Sequence, residues 1–338
     1  MISPGGVGYD INCGVRLART NLRFSEITPK IGRLADALFD AIPAGVGSQG
    51  AVPDLPIEEL KRLVRGGANW AVKNGYAEPE DLEHTEEGGC LPNAEPESIS
   101  ALAYKRGSKQ LGTLGSRNHF LELSRVDLIY DRIAAKSFGL EPGRVTVLIH
   151  SGSRGLGHQT CDDYLRVVDA AMAKYEIRLP DRQVAAVLIL SVEGKTYLGA
   201  MAAAANFAWC NRQIIMCLAR DTLIAALGIS PNELGFSLIY DVCHNIAKFE
   251  EHSVDGDQRR LCASQRSHAR LCSGSSYAAD GVARAGPTGN HPRGYGTLFP
   301  RDARLGNRDA RDMRFIVSWC GSRDEPRQGD APSARSRS

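Results

Sequence analysis

The chain has 338 residues, a length that suits one large domain or two ordinary ones. Its 43% hydrophobic and 24% charged residues are typical of a globular protein and exclude wholesale disorder, collagen-like sequence and a coiled coil. The net charge of +2 hides an asymmetry, because residues 253–338 carry 15 Arg and no Lys against nine acidic residues, whereas all nine Lys lie before them.

Residues 11–22 alternate apolar and polar positions (Ile11, Cys13, Val15, Leu17) and read as a strand. Residues 27–42 carry apolar positions at helical spacing and stop at Pro43. A second helix is predicted over 57–74, an acidic, Pro- and Gly-rich surface excursion over 78–98, and a further helix over 98–111. Residues 120–123 and 145–150 read as strands, the second buried on both faces. A helix over 159–175, a strand over 184–192, a long helix over 197–227 and a strand over 237–242 follow. This order of elements predicts an α+β or α/β fold with no linker inside 1–252. No apolar run is long enough for a membrane helix, Met1–Gly6 has no signal-peptide pattern, and nine irregularly spaced cysteines fit a reducing cytosol.

Several segments gather metal-type residues with Gly, Ser or Asn at strand ends. Asp10 and Cys13 flank a Gly-rich turn, and a carboxylate and a thiolate that close can share a metal. A capping Asp and a buried Cys would give the same pattern. His119, His150 and His244 each stand at a strand end, where folds collect binding groups. One Cys, one Asp and three His make a two-metal set with the thiolate bridging. Thiolate and imidazole suit zinc or another borderline metal, the carboxylate admits Mn²⁺, and spacing does not choose between them. The Gly-rich loop 112–119 and the loop 150–158, with Arg154 and two Ser, have the donors that phosphate needs. Asn206, Asn211 and Arg212 interrupt an Ala-rich helix at positions that could reach a nucleotide, although the Ala run itself reads as close helix packing.

The segments GGVGYDINCGVRL, LGSRNHFLE, HSGSRGLGHQ, AMAAAANFAWCNRQ and DVCHNIAKFEEH, in this order from Ile2 to about Cys262, resemble the RtcB family of RNA-splicing ligases. The resemblance implies an α+β fold of mixed sheets with surrounding helices. It implies an enzyme that joins an RNA 3′-phosphate, or a 2′,3′-cyclic phosphate after opening, to a 5′-hydroxyl, using GTP and two Mn²⁺ ions through a histidine-linked GMP. By position, Cys13 would bridge the metals, His119 and His150 completing one site and Asp10 and His244 the other. Asn118, His119, Phe120, Leu121, Glu122, His244 and Asn245 would surround the nucleotide, and Arg154 would meet RNA-like anions. The implied partners are tRNA halves or broken RNA ends and an archease-type activator; a cytoplasmic monomer is expected.

Two features depart from the family. Arg117 stands where the family usually has Gly, and the chain starts inside the first motif, so the fold is expected to be incomplete at both ends, with an open sheet edge. After residue 262 the family would continue with GATRAF, a nucleotide loop and HGAG, whose His accepts GMP; none is present. GC-rich codons for Arg266–Leu271, read one base later, encode GATRAF, and a shifted reading of 319–328 comes close to the HGAG stretch. The organisation expected is therefore a partial metal- and nucleotide-binding core over 1–262 and an Arg-rich, disordered, out-of-frame tail over 263–338. No residue takes the role of the GMP acceptor, and the chain is expected to be inactive in ligation. A natural basic RNA-binding arm, a noncatalytic metal- or GTP-binding fragment and a two-metal phosphoesterase are the alternatives.

Overall fold

The computed structural model describes residues 1–265, apart from 46, 51, 117, 180–183, 255 and 256, together with 317–320; for 250–265 and 317–320 only the backbone is described. Arg117 and most of the Arg-rich tail therefore lie outside the described residues.

Seven strands are described: β1 (Gly14–Arg23), β2 (Phe120–Arg125), β3 (Arg144–Ser151), β4 (Ser237–Cys243), β5 (Ile246–Val254), β6 (Asp257–Gln265) and β7 (Val317–Cys320). Five form a sheet in the order β4-β1-β3-β2-β7, and β5 and β6 form a separate hairpin. With helices packed against an antiparallel sheet, the fold is α+β. Where mixed sheets were expected, every strand pair described is antiparallel, and parallel pairing occurs only as a single bridge from Thr85 to Asp241. The antiparallel order decides the site, because β1 and β2 start at the edge where β3 and β4 end.

One helix organises the interior. It runs from Val192 to Leu227, 36 residues, or roughly 54 Å at 1.5 Å per residue. Ser191 caps its start by accepting from the Gly194 N–H, and Gly228 ends it in the left-handed conformation. Almost every residue from Tyr197 to Cys217 is buried. A helix that is buried all round must be covered on all sides. Ile215, Met216, Ala219 and Leu223 pack with Leu121, Val147 and Ile149 of the sheet. Phe207, Trp209 and the Ala run pack with Leu60, Leu63, Val64, Trp70 and Tyr104 from the N-terminal helices. The small side chains at 202–205 let those helices approach, as the composition suggested.

Three local expectations are corrected. The helix over 57–74 is two helices, Ile57–Gly66 and Ala68–Lys73, broken at Gly67. Gly67 has φ +55°, and a Cβ there would collide with the carbonyl of Gly89. Residues 78–98 are not a surface excursion. Glu86 accepts from the Cys243 N–H at 2.8 Å, Asn206 accepts from the Leu91 N–H at 2.7 Å, and Thr85 and Leu91 are buried. The polar composition of this segment serves hydrogen bonds to the interior. Residues 184–192 do not form a strand. Val187 makes one bridge to Ile2, Leu188 and Leu190 are exposed, and the long helix already begins at Val192. An apolar run without a neighbouring strand cannot build a ladder.

Candidate metal centre

The site lies at the sheet edge where the four strands meet. In the register, Val15 and Phe120 both face His150, and Gly14 faces Ser151 on one side and Cys243 on the other. Cys13 immediately precedes β1, His119 precedes β2, His150 lies near the end of β3 and His244 follows β4. Asp10 is carried by the turn that follows the short helix Pro4–Val7, and the Cys13 N–H donates to the Asp10 carbonyl at 3.0 Å. Asn12, at φ +54°, lets this turn close. The second chain neighbour is fixed as well: the His244 N–H donates to the Cys13 carbonyl at 2.8 Å, and the Asn12 N–H to the Asn245 carbonyl at 2.9 Å.

All five candidate ligands converge. His119 Nε2 lies 2.8 Å from Asp10 Oδ2 and 3.3 Å from Cys13 Sγ. His150 Nε2 lies 3.1 Å from Cys13 Sγ and 3.4 Å from His244 Nε2. They form two trios that share the thiol, Asp10–Cys13–His119 and Cys13–His150–His244, with the ligand atoms of each trio within 4.8 Å of one another. The division differs from the one that paired His119 with His150 and Asp10 with His244. The Asp10 carboxylate reaches across to the start of β2, while the His150 and His244 rings meet edge to face at a centroid distance of 5.3 Å.

The chemistry of this donor set fits divalent metal. His150 Nδ1 lies 2.7 Å from the Asn118 carbonyl, which can only accept, so the ring proton sits on Nδ1 and Nε2 presents a lone pair to Cys13. Burial, and then the neighbouring His119 and His244, push the His150 pKa down to about 3, so the ring is held neutral. Burial and the Asp10 charge push the Cys13 thiol well up. Burial also pushes the Asp10 carboxyl up, but the His119 hydrogen bond and the charges of His119, His158 and Arg154 outweigh it and hold it below the usual carboxylate range. A buried carboxylate, a thiol and three imidazoles aimed at two points make an expensive cluster without a cation and a good one with it. His119 Nδ1 is buried with no hydrogen-bond partner among the described residues; the ring is held by Asp10 on its Nε2 side and packs edge to face on His150 at 5.4 Å.

The residues expected around a nucleotide are distributed less simply. Asn118 acts through its backbone on His150. Phe120 packs edge to face on the His150 ring at 5.5 Å. Glu122 shares the face of Phe120, is buried, accepts a hydrogen bond from Ser124, and has its carboxyl pushed up by burial. Leu121 points the other way, into the apolar core against the long helix. The Asn245 side chain donates to the Asp10 carbonyl at 3.2 Å. Arg154 is buried rather than open: Nε donates to Thr113 Oγ1 at 3.0 Å and Nη2 to the Gly45 carbonyl at 3.3 Å. Asn206, Asn211 and Arg212 are fully buried and reach backbone rather than the surface.

Two participants were not singled out in the sequence. Gly152 underlies Asp10, and a Cβ there would come within 2.5 Å of both carboxylate oxygens. His158, half exposed, places Nε2 4.0 Å from Asp10 Oδ1. The signal for both was the HSGSRGLGHQ segment, whose glycines mark close approaches.

Residues 1–276 match the family described as tRNA-splicing ligase RtcB. The chain belongs to the RtcB family. Among curated RtcB relatives, the tRNA-splicing ligase RtcB of Archaeoglobus fulgidus is 54% identical over 270 residues, covering 80% of this chain and 56% of the relative. The protein of the same name from Thermococcus kodakarensis is 49% identical over 270 residues, with the same coverage. That of Aeropyrum pernix is 49% identical over 261 residues, 77% of this chain and 54% of the relative. The chain thus spans about half the length of the curated RtcB relatives it matches. No helix among the described residues is long and apolar enough to cross a membrane.

Proposed function

We propose that this chain is the metal-binding half of a GTP- and Mn²⁺-dependent RNA ligase of the RtcB type. The observation that carries the reading is the five-ligand cluster itself: Asp10, Cys13, His119, His150 and His244 converge from four strand ends into two trios with a shared thiol. Two manganese ions bound there would neutralise phosphate charge and polarise a phosphoryl group. The chain's own residues would do the rest. Asn118 keeps the His150 proton on Nδ1, His119 and Asp10 hold one another in place, and Phe120 walls the site on the sheet side. The segment 118–122 with Asn245 would face the guanine nucleotide, and Arg154 the RNA ends, once it leaves Thr113.

The substrates in this reading are tRNA halves or broken RNA ends with a 3′-phosphate or 2′,3′-cyclic phosphate and a 5′-hydroxyl. Work as a cytoplasmic monomer with an archease-type activator belongs to the same reading. The accepting His for GMP is not supplied by this chain, because residues after about 262 read as out of frame. We therefore propose that it binds manganese but neither forms the GMP adduct nor seals RNA. The test is incubation with GTP labelled on the α-phosphate and MnCl₂, together with manganese uptake. Manganese uptake without labelled protein is the expected result, and labelled protein would overturn the inactivity. The coding DNA tests the tail, since a shifted frame that does not encode GATRAF removes the out-of-frame reading.

A further inference from the structure

Resting on the two-metal reading, we propose that Arg212 is a positioning residue that sets the separation of the two metal subsites, assisted by Asn211. Arg212 lies on the long helix and is fully buried. Its Nε and Nη2 clasp Asp241 at 2.8 and 2.7 Å. Its Nη1 donates to the Asn12 carbonyl at 2.7 Å and to the Ser151 carbonyl at 3.1 Å, and Nη2 also reaches Asn12 Oδ1 at 3.1 Å. These recipients stand beside the ligands. Asn12 lies between Asp10 and Cys13, Ser151 follows His150, and Asp241 is on the strand that leads to His244.

Asn211 covers the remaining segment. Its Oδ1 accepts from the N–H groups of Gly112 and Thr113 at 2.8 and 3.3 Å, at the start of the loop that leads to His119. Its Nδ2 donates to the Thr113 carbonyl, to Ser151 Oγ and to the Gly152 carbonyl, all within 3.2 Å. Two adjacent side chains of one helix therefore bond beside Asp10, Cys13, His150 and His244, and to Gly112 and Thr113 at the start of the loop before His119. The planar fork of Arg212 makes five hydrogen bonds at once, and a lysine ammonium has only three donors on a single atom.

The test compares wild type, Arg212→Lys, Asn12→Gly and Leu63→Ala. Arg212→Lys keeps the charge opposite Asp241 and loses the fork. Asn12→Gly keeps the positive φ and the backbone carbonyl that Arg212 grips, and deletes the side-chain bonds to Arg212 and to the Ala205 carbonyl. Leu63→Ala lowers stability through a core residue outside the centre. Folding is read by circular dichroism, manganese affinity by titration, and the two-metal arrangement by the exchange-coupled electron paramagnetic resonance signal of a manganese pair. Wild type and Leu63→Ala are expected to show the coupled signal. Arg212→Lys is expected to bind the second ion at least about tenfold more weakly and to give an isolated-ion spectrum. Asn12→Gly should shift the same way and carries the test if Arg212→Lys does not fold. Folded Arg212→Lys or Asn12→Gly with wild-type affinity and coupling would overturn the proposal. So would loss of coupling in Leu63→Ala, since stability alone would then explain the effect. A wild type that binds no manganese would instead remove the metal reading beneath it.

Discussion

The Asn118 carbonyl and His150 Nδ1 are 2.7 Å apart, and this one hydrogen bond decides how the centre can work. It leaves the His150 lone pair on the ring nitrogen that faces Cys13 and His244. A backbone acceptor on the loop into β2 thus sets the tautomer of a candidate ligand on β3. That is the usual way in which a metal-binding imidazole is held.

The division into trios makes a prediction that the alternative pairing does not. In the double variant Asp10→Ala/His119→Ala, both changes fall in one trio, so one manganese ion should still bind through Cys13, His150 and His244. His150→Ala/His244→Ala should likewise keep one ion, and Cys13→Ala should weaken both. If His119 belonged with His150, the first double variant would damage both sites. Equilibrium dialysis with metal analysis gives the stoichiometry directly.

The candidate ligands and the strand ends that carry them were legible because they are local. A His that stops an apolar run, or an Asp and a Cys around a glycine turn, announces itself in the sequence. The grouping of ligands was not legible, since it depends on which strand lies between which. Chain order places β1 before β2 and β3, whereas the sheet places it between β3 and β4. Arg212 and Asn211 were read as candidates for a nucleotide because a polar residue in an Ala-rich helix looks the same whether it serves a ligand or buried backbone. Likewise, the acidic, Pro-rich stretch at 78–98 looked solvated, and only its partners, Cys243 and Lys248 on Glu86, explain its charge.

Gly152 offers a steric test. Its backbone is ordinary, so Gly152→Ala adds no conformational strain, but the new Cβ would come within 2.5 Å of the Asp10 carboxylate. Asp10 must then swing away from His119. The expected outcome is a folded protein in which the Asp10–Cys13–His119 subsite loses manganese affinity by about ten- to a hundredfold, comparable to the loss of an outer-shell partner. Titration against wild type, with the other subsite as internal reference, checks it; unchanged affinity at both would show that Asp10 is not needed there.

Trp209 measures how much the fold depends on the central helix. It is fully buried in the core between the long helix and the N-terminal helices. Trp209→Ala should cost about 3–5 kcal/mol, the range for removing a large aromatic from a packed core. Urea unfolding followed by far-ultraviolet circular dichroism reads the change. A loss below about 0.5 kcal/mol, the range of an ordinary surface change, would mean that the helix does not bear the packing described.

Outside the candidate metal ligands, a pH dependence of stability should come from Asp241. Burial pushes its carboxyl up, but the guanidinium groups of Arg212 and Arg16, the latter at 2.7 Å, outweigh it and hold the pKa below the ordinary value. A carboxylate with a lower pKa in the folded than in the unfolded chain leaves the unfolded chain binding more protons between the two values. Its contribution to stability is therefore fully present above the unfolded value of about 3.9 and is lost as pH falls through the folded value. Asp241→Asn removes this contribution and leaves two buried guanidiniums without their shared partner. Breaking a buried pair costs about 3–5 kcal/mol. Thermal unfolding from pH 6 to pH 3 should show a large gap between wild type and Asp241→Asn at pH 6 that narrows below about pH 4. A gap that stays constant to pH 3 would show that Asp241 is not charged in the folded protein at neutral pH, or that its charge adds nothing to stability.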